Sequence, residues 1–180
     1  SIEAWFDVRV ERALESGVTI TRSILARQRA DTEEEARRIA QTLRNVPQSL
    51  LMGELLRQVE HLQGADALVL TGNLTAVAAA SGSKLDLILP SMPGHLQIQA
   101  ANNTGIYSTV DGDIFEASEQ NPDAALSIRV IVPIPSDGYL SDSFGGGLLG
   151  NARTEQLYLQ LIRPVESSVT ENAAELLAGY

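Results

Sequence analysis

From Ile2 to about Gln28 the apolar positions Phe6, Val10, Ala13, Gly17, Ile20 and Ile24 recur at alternating steps of four and three. That is the a/d spacing of a helix that packs on another helix. The charged Arg9, Glu11, Arg12, Glu15 and Arg22 fall mostly off this seam, and Glu11 with Glu15 repeats one sign at i,i+4, so packing rather than local pairing must stabilise the helix. Gly17 costs about 1 kcal/mol relative to Ala in a helix interior, and its place on the seam implies close helix approach or a kink. Asp31 and Thr32 read as caps of a separate second helix, with Glu33, Glu34 and Glu35 in its first turn, where the macrodipole favours carboxylates. Ala36, Ile39, Ala40 and Leu43 form its apolar face, and Asn45 and Pro47 close it. A third helix is predicted from about Gln48 to Leu62, burying Leu50, Leu51, Leu55 and Val59 and stopping at Gly64.

After Gly64 the period shortens. Ala67 to Leu70 and Ala76 to Ala80 flank the turn residues Thr71, Gly72 and Asn73 and predict a hairpin, ended by Ser81, Gly82 and Ser83. Further strands are predicted at His95 to Ala100, Ile106 to Val110, Ala125 to Ile134 and Gln156 to Ile162. The strict alternation of Ile128, Val130, Val132 and Ile134 marks one face packed on a core. Pro135 to Arg153, rich in Ser, Asp and Gly around Phe144, Leu148 and Leu149, is too long for an ordinary connection. A short C-terminal helix is expected within Val165 to Tyr180, capped by Ser167 or Ser168 and carrying Ala174, Leu176 and Leu177. The fold expectation is α+β: a long N-terminal helix and further helices packed on an antiparallel sheet of about five strands, the usual sheet size. It is organised as one domain with a helical region over 1–63, a sheet region over 64–163 and a return helix over 164–180.

Composition narrows the function. A net charge of -10 argues against nucleic acid, whose affinity comes from Lys and Arg neutralising phosphates, and against anionic lipid surfaces. Zero Cys removes disulfides, thiolate metal sites and thiol nucleophiles without fixing the compartment. No segment runs apolar for the roughly 18 residues that a bilayer span requires. The chain opens mid-helix without Met, as expected of a piece of a longer polypeptide.

Candidate chemistry is sparse. Ser81-Gly82-Ser83-Lys84 fits the S-x-x-K pattern of serine acylases, but it sits in a turn rather than at a buried helix start, so Ser81 reads as a turn residue; a hydrolase reading needs Ser81 and Lys84 to meet in a cleft. His61 and His95 stand on different elements without paired-ligand spacing, and Val59-Glu60-His61-Leu62 lacks what a phosphoacceptor site needs. Asp111, Asp113 and Glu116 approach calcium-loop composition, yet Ile, Phe and Ala fill the other ligand positions. The glycines at 145–147 and 150 match no phosphate-binding pattern, and no metal or cofactor is expected. Asn73-Leu74-Thr75 is a glycosylation sequon with no assigned role. Arg129 is the residue to watch, because it interrupts an apolar strand on the face opposite Ile128 and Val130 and would there pair with a carboxylate or bind an anion. Tyr107 and Tyr139 are candidates to line the same ligand site.

The opening Ile2-Glu3-Ala4-Trp5-Phe6-Asp7-Val8-Arg9-Val10-Glu11-Arg12-Ala13-Leu14-Glu15 resembles the start of the extracytoplasmic region of NtrY-type nitrogen-regulation sensor histidine kinases, where W-F-D-x-R-V-x-x-A-L-E follows a membrane helix. The close, Leu161-Ile162-Arg163-Pro164-Val165 through Ala178-Gly179-Tyr180, is similar to the segment that leads such proteins back into the membrane. The resemblance implies a Cache-like or PAS-like sensor module on the periplasmic side of the inner membrane, held by flanking transmembrane helices. It also implies a parent kinase with HAMP, PAS, phosphoacceptor and ATP-binding modules that phosphorylates an NtrX-type response regulator. The expected role of this non-enzymatic segment is therefore signal sensing, for a small molecule or an envelope protein. A homodimer would contact through Phe6, Val10, Ala13, Gly17, Ile20 and Ile24, the other use of that seam being to cover the domain's own sheet or last helix. The alternative is an envelope protein-interaction module that holds no small molecule.

Overall fold

The computed structural model describes residues 2–62, 64–82, 91–112, 126–136 and 155–165, with side chains from Thr21 onward. The N-terminal region is one unbroken helix, α1 (Ile2–Thr42), where the capping residues predict two. Asp31 and Thr32 do not cap; Thr32 is wholly buried inside the helix. Tertiary packing overrides the local capping preference here, because Thr32 shares a stripe with Ala36, Ile39, Ala40 and Leu43, all buried. The helix stops where the Thr42 hydroxyl donates back to the Arg38 carbonyl at 3.0 Å, Arg44 N–H turns to Gln41 O at 3.3 Å, and Pro47 removes a further donor. A 3-10 turn at Gln48–Leu50 then leads into α2 (Leu51–Val59), which buries Leu51, Leu55 and Val59. Leu50, expected inside, is 60% exposed, since the tighter turn takes it out of phase with the buried stripe. Arg38 joins the two helices, its Nη1 donating to Gln58 Oε1 at 2.9 Å while Nε and Nη2 hold Glu35.

β1 (Asp66–Thr71) and β2 (Ala76–Ser81) form the predicted hairpin. Its turn is closed by Thr71 N–H to Thr75 O at 2.9 Å and Leu74 N–H to Thr71 O at 3.0 Å, with Leu74 in the left-handed region at φ 62°. The register shifts between Val69 and Leu70, a β-bulge that lets Leu70 face Ala76. His95 to Ala100 is a helix and not a strand: α3 spans His95–Thr104. Alternation made Leu96, Ile98 and Ala100 look like one strand face, yet the buried residues are Ile98 and Ala101, one helical turn apart, and Leu96 is 81% exposed. Caps decide the matter. Gly94 N–H donates to Gln97 Oε1 at 3.2 Å at the start, and Gly105, at φ 86°, returns its N–H to Ala101 O at 2.8 Å at the end.

β3 (Tyr107–Asp111), β4 (Ser127–Pro133) and β5 (Leu157–Pro164) complete a five-stranded antiparallel sheet in the order β2-β1-β5-β4-β3. β5 lies at the centre and is buried continuously from Leu157 to Leu161. Cross-strand partners share a face, so Asp66, Leu68, Leu70, Ala79, Tyr158, Gln160 and Ile162 stand together. On that face Leu68, Leu70, Ile131 and Tyr158 pack against Ile98 and Ala101 of α3, with Leu74, Ala79 and Tyr107 at the margin. Ala67, Val69, Leu159, Leu161, Ile128, Val130 and Val132 point the other way, where α1 and α2 supply their buried stripes. Glu33 of α1 accepts a hydrogen bond from Ser108 of β3 on that side.

These layers belong to one compact unit, Thr32–Thr109 with Ile128–Arg163; a second comprises Ser1–Asp31, Val110–Ser127 and Pro164–Tyr180. Within the second, Val165 N–H donates to Leu126 O at 2.8 Å. The glycine-rich segment around 145–150 and the helix expected over 166–180 lie outside the described residues.

The hairpin returns against the end of α2 through a close backbone approach. Gly82 N–H donates to Ala65 O at 2.7 Å, and a Cβ at Gly82 would meet Leu62 O at 2.7 Å and Ala65 O at 2.9 Å. Backbone carbonyls cannot swing aside as a side chain can. Gly82→Ala is therefore expected to lower stability by about 2 kcal/mol, read as a lower urea midpoint at unchanged slope.

Candidate functional site

Two residues interrupt the apolar strands of the sheet centre on the face that carries α3: Arg129 on β4 and Gln160 on β5. Alternation sends Ile128 and Val130 to the opposite face, so Arg129 emerges beside Gln160 with its aliphatic stem against the sheet. Gln160 is fully buried between β1 and β4, and a buried amide is costly unless both its ends are hydrogen-bonded. Both are. Its Nε2 donates to the Ser91 carbonyl at 2.7 Å, and its Oε1 accepts from Arg129 Nη1 at 3.4 Å. Arg129 Nη2 closes the triangle by donating to Ser91 Oγ at 3.1 Å.

Two residues along β5 the polar stripe continues. Tyr158 is buried in the α3 cluster, and its hydroxyl donates to Asn102 Oδ1 at 3.1 Å. Burial pushes the Tyr158 phenol above its ordinary value of 10.0, because the phenolate would lose its hydration there. Tyr107 stands half-buried at the margin of the same cluster. The strap Ser91 to Gly94 and α3 thus sit over a sheet face that offers a guanidinium fork, an amide and a phenol in a row. Such a set recognises carboxylate or amide groups by shape and hydrogen bonding.

The other sequence candidates that the structure describes are not part of this group. Tyr139, Lys84, Asp113 and Glu116 lie outside the described residues. Ser81 donates to Asp66 Oδ1 at 2.6 Å across the hairpin base, the bond of a residue that closes a hairpin. His61 is exposed in the turn after α2, and His95 is exposed in the first turn of α3. Among the described residues no cluster of three His, Asp or Glu side chains could hold a metal ion. Phe6, Val10, Ala13, Gly17 and Ile20 all fall within α1, their side chains outside the description, while Ile24 is 37% exposed. Gln160, Ser91 and Tyr158 were not singled out from the sequence. Gln160 carried a usable signal, since it breaks the run Leu157 to Ile162 as Arg129 breaks β4; Ser91 carried none.

The Tyr158 phenol binds its proton more tightly in the folded protein than in the unfolded chain. Its contribution to stability is full below about pH 10 and is lost as pH rises through the raised folded value. Tyr158→Phe is expected to cost about 1 kcal/mol at neutral pH through the lost bond to Asn102. The gap between the wild type and this variant should close above pH 10, as urea midpoints across that range would show.

No family model matches the chain, and no curated protein matches it.

Proposed function

We propose that this chain is the extracytoplasmic sensing domain of a membrane-bound two-component sensor histidine kinase of the NtrY type. The sheet face beneath α3 receives the signal, and α1 carries it toward the membrane. The observation that carries this reading is the unbroken α1. Its last turns are buried at Thr32, Ala36, Ile39, Ala40 and Leu43, so the helix that begins at Ile2 ends in the packing of the sheet. The opening Trp5-Phe6-Asp7-Val8-Arg9-Val10 motif supports the family, and helices packed on a five-stranded antiparallel sheet suit the Cache-like or PAS-like module of this reading. None of the described helices is long and apolar enough to cross a membrane, and the spans of this proposal belong to the flanking parent sequence.

Paired α1 helices give such a sensor its output, since a bistable helix pair converts a small bias at the sheet into a change in kinase state. The parent then acts on an NtrX-type response regulator from the inner membrane, and the domain itself catalyses nothing. A second reading, an envelope protein-interaction module, is favoured by one observation: Leu50, Met52 and Leu56 are 60%, 58% and 45% exposed on the 3-10 turn and α2. Exposed apolar side chains grouped close along the chain mark interaction surfaces.

Two experiments separate these readings. The chain has no Cys, so single cysteines introduced across Trp5 to Leu25 are the only ones within it. Oxidative crosslinking of the membrane-anchored parent is expected to peak at Phe6, Val10, Ala13, Gly17, Ile20 and Ile24; a flat profile would remove the dimer seam. Thermal-shift screening of carboxylates, amino acids and amides should find a ligand whose stabilisation Arg129→Gln abolishes. If no ligand is found and Leu56→Glu instead abolishes capture of an envelope protein, the interaction reading replaces the sensor.

A further inference from the structure

We propose that Ser91–Thr104, the strap and α3 together, is a lid on the sheet, held shut at its first end by a polar latch of Ser91, Arg129 and Gln160. The use of this lid in signalling rests on the sensor reading above, whereas its opening is a property of the fold.

Three observations carry it. The first is where the lid is held. Gln160 Nε2 grips the Ser91 carbonyl at 2.7 Å and Arg129 grips the Ser91 hydroxyl at 3.1 Å, so a single residue of the strap takes two bonds from two adjacent strands. A polar latch parts cheaply, because water replaces each partner as it leaves, whereas an apolar contact has no substitute. Ser91 is itself exposed, so water already reaches its side of the latch, above the buried Gln160.

The second is how few of its own side chains the lid buries. Among the described residues they are Pro93 of the strap and Ile98 and Ala101 of α3, set on Leu68, Leu70, Ile131 and Tyr158 of the sheet, where the shorter α2 alone buries Leu51, Leu55 and Val59; the Tyr158 hydroxyl adds a bond to Asn102. Leu96 is 81% exposed and adds nothing to the closed state.

The third is the end away from the latch. Gly105 closes α3 there, and a side chain built at it would meet nothing within 4 Å. Gly105 already sits in the left-handed region at φ 86°, where the chain reverses into β3. Lids open at a few such element-terminal positions, and segments with few buried contacts open locally while the core stays folded. Opening breaks the Ser91 bonds of Arg129 and Gln160 on the same face, and a ligand carboxylate that takes the place of Ser91 Oγ on Arg129 holds the lid open.

Native-state hydrogen exchange on the 180-residue chain tests this without any ligand. In the wild type, the amides of Gln99 to Thr104 should exchange faster than those of β1 and β5. Ser91→Ala should speed α3 exchange by about threefold, and Gln160→Leu by about tenfold, each beyond any change in β1. Exchange of α3 at the rate of β1 and β5 would overturn the proposal, as would variants that leave α3 unchanged or that speed α3 and β1 by the same factor. Ser91 is exposed, so its variant folds whatever Gln160→Leu does. Failure here leaves the ligand screen untouched, and a failed screen leaves the lid standing.

Discussion

The fold depends on burying β5 on both sides. β5 lies between β1 and β4, and from Leu157 to Leu161 none of its side chains reaches water to any extent. A strand in that position needs a layer on each face. Leu159 and Leu161 face the layer built from α1 and α2, while Tyr158 and Gln160 face the layer built from α3 and the strap. The two layers differ in kind. One is aliphatic, with Ile39, Leu43, Leu51, Leu55 and Val59 in close packing; the other mixes a small apolar cluster with an amide, a guanidinium and a phenol.

That difference divides the labour of the domain. Aliphatic packing fixes α1 to the sheet, because cores of this density deform only by discrete rearrangement. The other layer is held by hydrogen bonds of about 1 kcal/mol net each together with the small cluster of Ile98 and Ala101 on Leu68, Leu70, Ile131 and Tyr158, and the proposed lid opens there while the first layer stays intact. In the proposed sensor, the strand residues that alternate between the faces connect the α3 face to α1. Arg129 is flanked by Ile128 and Val130, which lie under the helical layer. The sheet is thus the physical link between the face proposed to sense and the helix proposed to signal.

Much of this was legible in the residues. The seam predicted a helix over the N-terminal region, and turn residues at Thr71 to Asn73 with strict alternation over Ile128 to Ile134 located the hairpin and β4. The readings that went wrong did so for different reasons: tertiary packing overrode one local signal, and cap chemistry overrode another. Asp31 and Thr32 have cap chemistry, but Thr32 is in the stripe that packs against the sheet, so the helix runs through it. His95 to Ala100 alternates like a strand, but Gly94 and Gly105 stop both ends of a helix whose burial period is set by Ile98 and Ala101. Of the polar group on the sheet, Arg129 was legible because a charge in an apolar strand stands out. Ser91 was not, since nothing in the sequence places a strap residue over a strand some forty positions away.

The central claim is that a change on the α3 face is felt by α1 through the sheet. Amide chemical shifts of the isotopically labelled chain, compared between wild type and Arg129→Gln, test it most directly. The account predicts shift changes at Ala36, Ile39, Ala40 and Leu43 of α1 as well as around Ser91 and Gln160. Changes confined to Ser91 to Thr104 and to the immediate neighbours of Arg129 and Gln160, with α1 unmoved, would contradict it.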